Sequence, residues 1–184
     1  VGNPPWVRLH RVPAHERAAL RRNYTVFRNA SWASGAQAAH AGSGFAGQVD
    51  LSALFVERSA ALLCPGGALA LLVPAKLWCS LAGGGVRRLL HERLSLLHVE
   101  DLSNAPALFD AAVYPSIVAA RAPERGTEHP PTVTVAAGKR ATVVQWRAES
   151  GSRARDHTPG SPGLLLTSPV RQAVDYLAAV GIPV

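Results

Sequence analysis

One run of apolar residues constrains the fold more than any other feature of the chain. Residues 68–73 read Ala-Leu-Ala-Leu-Leu-Val, without a polar side chain, and the run is bounded by Gly67 and Pro74. A strand that is apolar on both faces has to be covered on both faces. The run therefore predicts a buried strand in an α/β protein, with helices packed on the two sides of its sheet.

The segments around this strand alternate between helical and extended patterns. Proline suits the first turn of a helix that starts at residue 13, and Asp50 can cap the next one. Alternation of strands and helices up to residue 122 predicts a mostly parallel sheet. Helices are predicted over residues 13–23, 50–63, 75–81, 86–94 and 169–180, and strands over 95–102, 112–122, 132–136 and 142–147, the last two as a hairpin.

Three features are expected to interrupt this regular structure. Residues 30–47 are rich in Ala, Gly and Ser and have no period, so we interpret them as a mobile loop. Gly83-Gly84-Gly85 is interpreted as a flexible loop, because it does not form a G-x-G-x-x-G turn. Pro115, inside a predicted strand, indicates a bulge or an edge position.

Composition narrows the class of protein. Hydrophobic residues make up 48% and charged residues 17% of the 184, so a buried core is expected and global disorder is not. No apolar run is long enough to span a membrane, and the chain does not open with a signal-peptide layout. Cys64 and Cys79 lack zinc-ligand spacing, which argues against a metal site or a disulfide framework and fits a reducing cytoplasm.

The formal net charge of +7 suits a polyanionic partner such as nucleic acid. The charge is almost entirely arginine, and the arginines are spread along the whole chain, so charge alone decides little. Five of them lie within the first 22 residues, where they could hold phosphates or could form a solvated helix face. These are Arg8, Arg11, Arg17, Arg21 and Arg22.

The first six residues carry a motif with recognisable chemistry. Val1-Gly2 is interpreted as the end of a strand and Asn3-Pro4-Pro5-Trp6 as a loop, because two prolines fix φ and remove backbone donors. Asn3 offers a side-chain carbonyl, Pro4 offers a backbone carbonyl on a stiff frame, and Trp6 offers a flat face for stacking. A turn of this kind can also be simple punctuation between two elements.

These groups fit the methylation of an amino group. The lone pair of the exocyclic amine of adenine is delocalised into the ring, so the amine is a poor nucleophile. Two acceptors for its N–H bonds draw the nitrogen towards a tetrahedral shape and aim its lone pair at an incoming methyl group. The carboxyl end of a strand is also where open α/β folds bind ligands.

The same residues resemble motif IV of the N6-adenine DNA methyltransferases, above all the large single-chain bacterial methylases of type IIG restriction–modification systems and their relatives. The motif itself is Val-Gly-Asn-Pro-Pro-Trp-Val-Arg at residues 1–8. The likeness continues through residues 50–58, 65–76, 85–90 and 108–113, so that about two-thirds of the chain is covered. The order of these segments is far more specific than any one of them.

The resemblance implies a fold, a cofactor and a partner. The fold is the Rossmann-like class I sheet of AdoMet-dependent methyltransferases, of which this chain holds the C-terminal half, strands four to seven, with flanking helices. The cofactor is S-adenosyl-L-methionine, and the partner is double-stranded DNA with a flipped adenine. Asn3, Pro4, Pro5 and Trp6 take the catalytic positions, and Trp6 and Phe109 take the positions that contact the base.

The resemblance also implies parts that this sequence lacks. The glycine-rich AdoMet loop and the acidic residue for the ribose are expected upstream of Asn3, so no cofactor-binding residue is identified and the stretch alone is expected to be inactive. Residues 1–122 are expected to be the catalytic half of the methyltransferase domain, 123–163 a hairpin and linker, and 164–184 the start of a target-recognition region. Such a half domain is expected to expose apolar surface.

Two other readings of the motif stay open. Protein-glutamine and RNA N-methyltransferases share an Asn-Pro-Pro-aromatic loop, although they generally lack the long segment between this loop and the next helix. A non-catalytic nucleic-acid-binding remnant of a methylase belongs to another class. The intact Asn3-Pro4-Pro5-Trp6 loop argues mildly against such decay.

Overall fold

A computed structural model describes residues 1–28, 49–103 and 114–124, the backbone of two further strands, and the single residues Ala173, Tyr176 and Val180. Four helices are described: α1 (Ala14–Asn23), α2 (Thr25–Arg28), α3 (Ser52–Leu62) and α4 (Gly84–Arg93). Five strands are described: β1 (Ala68–Pro74), β2 (Ser95–Asp101), β3 (Pro115–Arg121), β4 (Thr132–Lys139) and β5 (Thr142–Glu149). This mixture of helices and strands is the predicted α/β class.

The sequence predicted the starts of several elements because local chemistry sets them. Helix α1 follows Pro13, and the Asp50 carboxylate accepts a hydrogen bond of 3.0 Å from the Ser52 amide at the start of α3. The short helix expected over residues 75–81 is instead two 3-10 turns, Ala75–Leu77 and Leu81–Gly83. The predicted hairpin is present as the antiparallel pair β4 and β5.

The described strands form one five-stranded sheet in the order β1-β3-β2-β4-β5. The expectation of a mostly parallel sheet is wrong for these strands. Strand β3 runs between β1 and β2 and is antiparallel to both, and β4 is antiparallel to β5. Only β2 and β4 pair in parallel, apart from an isolated parallel bridge between Gly2 and Leu71.

Strand β3 also corrects the expectation drawn from its proline. Pro115 is the first residue of β3, where a missing N–H removes little from the ladder, so the strand occupies a central position rather than an edge. The register shift lies in the neighbouring strand β2, between Leu96 and His98.

The three strands nearest the helices share a dry core. Val73, Val99 and Val118 have no exposed surface. The indole of Trp78 is buried as well, and its Nε1 donates to the Ser116 hydroxyl at 2.8 Å, which in turn donates to the Val73 carbonyl at 2.9 Å. This chain of hydrogen bonds ties the segment after β1 to the start of β3, because each buried polar group finds a partner.

Several predicted features lie outside the described residues. They are the loop over residues 30–47, the turn over 108–110, the linker over 149–163 and most of the helix over 169–180. Among the helices that are described, none is both long enough and apolar enough to cross a membrane.

Candidate active site

The N-terminal loop is held to the sheet by the residue that precedes it. The Gly2 amide donates to the Ala70 carbonyl at 3.0 Å, and the Gly2 carbonyl accepts from the Leu72 amide at 2.9 Å. A Cβ atom on Gly2 would lie 3.4 Å from Cδ2 of Leu71, an ordinary contact distance, so the bridge itself rather than crowding defines this position. Gly2 thus forms an isolated parallel bridge to β1 where the sequence predicted the end of a strand, and Asn3 follows this bridge directly.

The four motif residues divide between solvent and the interior. Asn3 and Pro5 are exposed, Pro4 is buried, and Trp6 is half-buried. The buried proline and the paired Gly2 fix the turn from one side, while the Asn3 amide remains open to a ligand. The turn is therefore stiff and accessible at the same time, as an amine-binding loop has to be.

A cavity of about 450 Å³ opens beside this loop. Asn3, Pro4 and Pro5 contribute to its wall, but Trp6 is not part of it. Most of the remaining wall is apolar and comes from α3 and from the first half of β1. The other lining residues are Val1, Gly2, Phe55, Ser59, Leu62, Leu63, Ala68, Leu69 and Leu71.

Part of this apolar wall faces solvent. Val1, Phe55 and Leu62 are among the exposed large hydrophobic residues, and Leu62 keeps 69% of its surface exposed. The cavity is therefore bordered by apolar side chains that are open to solvent. Large contiguous apolar patches on a protein mark places that another surface covers.

A charged cluster that sequence reasoning did not identify lies after the loop. The backbones of Arg8 and Asp50 form an isolated antiparallel β-bridge. Lys76 lies close enough to both residues for their charges to act on its ammonium group. Burial lowers the pKa of the Lys76 ammonium, the Asp50 carboxylate opposes that shift, and Arg8 adds to it. The sequence signal was weak: Lys76 is one of two lysines and closely follows the end of the buried strand.

Arg87 of α4 holds the segment that carries Lys76 through hydrogen bonds. Its Nη1 donates to the carbonyls of Leu77 at 2.5 Å and Ser80 at 2.9 Å, and burial lowers the pKa of the guanidinium to about 10. A Cβ atom on Gly83 would overlap the Leu77 carbonyl oxygen and would crowd the same guanidinium. Gly83 is therefore required by packing at this position.

The glycine triplet is accordingly not the flexible loop that we expected. Gly83, Gly84 and Gly85 are all buried, and the last two form the first turn of α4. Gly83 is the position of the triplet where a side chain would collide with the turn after β1.

Of the other residues predicted to contact the substrate, one lies outside the described residues and five lie within them. Phe109, expected to contact the base, falls outside the described residues. The five N-terminal arginines are described: Arg8, Arg11, Arg21 and Arg22 are exposed, and Arg17 is half-buried.

Comparison with known proteins places this arrangement in a family. The sequence profile of the Eco57I restriction-modification methylase family matches residues 1–109, more than half of the chain. The Type II methyltransferase M.XhoI of Xanthomonas vasicola is 29% identical over 133 residues, which are 72% of this chain and 21% of the relative. M.PaeR7I of Pseudomonas aeruginosa is 30% identical over 118 residues, 64% of this chain and 17% of the relative. The chain thus spans about a fifth of the length of these relatives.

Solved structures agree at the level of the fold. The ATP-dependent Type ISP restriction-modification enzyme LlaBIII, solved bound to DNA, superposes with a TM-score of 0.52 over 74% of this chain and 10% of its own, at 14% identity. A Listeria monocytogenes protein assigned to the class I S-adenosylmethionine-dependent methyltransferases has a TM-score of 0.43, with 70% of this chain and 32% of its own covered at 16% identity. Because the profile match over residues 1–109 covers more than half of the sequence, the chain belongs to the Eco57I restriction-modification methylase family.

Proposed function

We propose that the protein containing this chain transfers a methyl group from S-adenosyl-L-methionine to the N6 amino group of adenine in DNA, as the methylase of a restriction–modification system. The observation that carries the proposal is the exposed Asn3, which directly follows the backbone bridge between Gly2 and β1 and lies next to the buried Pro4. Family membership supports DNA methylation in general. The choice of adenine N6 depends on the chemistry of the loop.

The loop acts on the amine by accepting its hydrogen atoms. The Asn3 side-chain oxygen and the Pro4 backbone oxygen each take one N–H bond of the amino group. The backbone before these two acceptors is held before the substrate arrives, because Gly2 is hydrogen-bonded to β1 on either side of Leu71. Acceptors that need no rearrangement lower the barrier most effectively.

Trp6 is assigned to the base rather than to the amino group. An indole stacked on the ring contributes about 1–3 kcal/mol per base. Its half-buried position after Pro5 leaves part of the side chain accessible. Phe109 is assigned to the same base on the strength of the family resemblance alone.

Such an assignment requires the base to leave the helix. An amine that is paired inside duplex DNA cannot reach two acceptors and a methyl donor together, so the nucleotide has to rotate out of the stack. The proposed partner is therefore double-stranded DNA with a flipped adenine.

The described residues fit the acceptor side of this reaction but not the whole donor site. S-adenosyl-L-methionine supplies an electrophilic methyl group on a sulfonium, and its ribose and amino-acid ends need polar partners. The cavity beside Asn3 has Ser59 as its only other polar side chain. Residues of the protein outside this described part are expected to hold the donor.

Product analysis tests the proposal. The complete protein is incubated with S-adenosyl-L-methionine labelled on the methyl group and, separately, with duplex DNA, RNA or protein as acceptor. We expect label in DNA only, and nucleoside digestion should recover it as N6-methyladenine. Recovery as N4-methylcytosine, label in RNA or in glutamine side chains, or no transfer to any acceptor contradicts the proposal.

A further inference from the structure

We propose that residues 8–28 form a basic arm that lies against the sugar-phosphate backbone of duplex DNA beside the amine-binding loop. This inference rests on the proposed function, since it takes DNA as the partner. It adds the surface that holds the phosphates, which is distinct from the loop that holds the base.

The arm concentrates the positive charge of the protein. Its six arginines and one glutamate leave it at a formal charge of +5, compared with +7 for the whole chain. Glu16 is the acidic residue, and the arginines are Arg8, Arg11, Arg17, Arg21, Arg22 and Arg28.

Within the described part of the protein, Arg8 shares a cluster with Asp50 and Lys76, but none of the arginine charges is neutralised in an ion pair. Among the described residues, no arginine of the arm forms an ion pair with a carboxylate, and Glu16 approaches only the neighbouring His15, at 3.8 Å. Arg17 instead donates to the carbonyl of His10 at 3.1 Å, which orients its guanidinium. Clustered charges without partners repel one another, so an external polyanion stabilises them.

The helix at the centre of the arm keeps its arginines at the surface. Helix α1 has no buried residue, and Arg21 and Arg22 in its last turn are exposed. Leu20 is the residue of α1 that packs against the hydrophobic core, and the two exposed arginines take no part in that contact. Packing therefore does not explain the arginines of α1, whereas phosphate binding does.

The first end of the arm is nevertheless held firmly. The Leu9 amide donates to the Val49 carbonyl at 2.8 Å, and the Leu51 amide donates to the Val7 carbonyl, also at 2.8 Å. The side chain of Leu9 is fully buried. The arm therefore leaves the core at a defined point, directly after the amine-binding loop.

The second end is held by a buried carboxylate. Glu57 of α3 accepts from the amides of Thr25 at 3.0 Å and Val26 at 2.9 Å, and from the Thr25 hydroxyl at 2.9 Å. Val26 and Phe27 are buried beside it. The exposed basic helix is thus held at both ends by buried residues, so its arginines lie at a defined place on the surface.

The position of the arm matches the path of a DNA strand. Arg8 follows Trp6 by two residues, a stretch of chain that spans at most about 7 Å. The arm thus begins beside the proposed position of the flipped base, where the phosphates of the same strand have to pass. Contacts of this type position the duplex without reading its sequence.

Salt dependence of binding tests the arm. The complete protein, an Arg21→Gln/Arg22→Gln variant and a control Arg58→Gln/Arg93→Gln variant are compared on the same duplex across a potassium chloride series. Arg58 and Arg93 are also exposed, so the control removes the same charge from α3 and α4. Melting temperatures of all three proteins establish that they are folded.

We expect the arm variant to bind more weakly and the slope of log K against log salt to fall by about 2, since each phosphate contact contributes about 0.9. The control should keep its slope. Equal slopes in wild type and arm variant, an equal change in both variants, or an arm-dependent slope that is as large on RNA as on duplex DNA overturns the inference.

Methyl transfer measured on the same preparations separates this inference from the proposed function. A wild-type protein that methylates DNA while the arm variant keeps its slope overturns the arm alone. A wild-type protein that binds DNA through the arm but transfers no methyl group overturns the proposed activity and supports the arm.

Discussion

Helices α1 and α4 are both ten residues long, and each carries an adjacent pair of arginines, Arg21-Arg22 in α1 and Arg87-Arg88 in α4. Helix α4 buries six residues, including Arg87, whereas α1 buries none. The Arg87 guanidinium donates hydrogen bonds to two backbone carbonyls of the turn after β1. An arginine pair in a sequence therefore does not by itself indicate a role. Its surroundings decide whether the side chains stabilise the fold or remain exposed for a binding partner.

The largest difference in the free energy of unfolding is expected between a variant that lacks the buried Arg87 and one that lacks the exposed Arg21. Arg87→Met leaves the carbonyls of Leu77 and Ser80 without their buried donor, so the free energy of unfolding should fall by about 2–4 kcal/mol. Arg21→Met is the matched control, and we expect a change within about 0.5 kcal/mol because the side chain is exposed. Urea unfolding of the two variants measures both values. A similar loss in the free energy of unfolding in both variants would contradict the different roles of the arginines in α1 and α4.

A smaller effect is expected from Lys76, which lies in the turn that Arg87 fastens. Its pKa is lowered by burial, so the folded protein binds this proton less tightly than the unfolded chain does. Stability contributed by this group therefore rises with pH between the lowered pKa and 10.5, the ordinary value. Lys76→Met should flatten that rise without lowering stability at pH 7.

Urea midpoints measured from pH 7 to pH 10.5 check the role of Lys76. Arg58→Met serves as the control, because Arg58 is exposed and its removal should leave the pH dependence as it is in the wild type. An unchanged pH slope in Lys76→Met would mean that burial does not act on this ammonium.

The sequence predicted the elements whose signals are local. The apolar run that became β1, the proline before α1 and the carboxylate of Asp50 before α3 each act within a few residues, and each was in place. Such features need no knowledge of what lies across the molecule.

The features that the sequence did not predict depend on distant contacts. Alternation of side chains is the same in parallel and antiparallel strands, so nothing in residues 115–121 indicated that β3 runs against both neighbours. The triplet at Gly83 looked flexible because its packing partner, the Leu77 carbonyl, is revealed only by the fold. The cluster of Arg8, Asp50 and Lys76 joins three separate segments for the same reason.

The candidate site shows the same division. The chemistry of Asn3 and Pro4 could be predicted from four residues, since it depends on the groups they carry. The cavity beside them, and the fact that Trp6 lies outside its wall, required the packing of α3 against β1.

The most direct test of the account is the turnover of the complete protein with Asn3→Ala, measured together with its melting temperature. Asn3 is exposed, so the melting temperature should stay at the wild-type value, while kcat for methyl transfer to DNA should fall about 10²–10³-fold through loss of a positioned acceptor. Glu92→Ala, another exposed change, should leave both values unaltered. Near-normal turnover of Asn3→Ala, or a loss of activity that follows a loss of folding, would contradict the role of this loop as the site that holds the amino group.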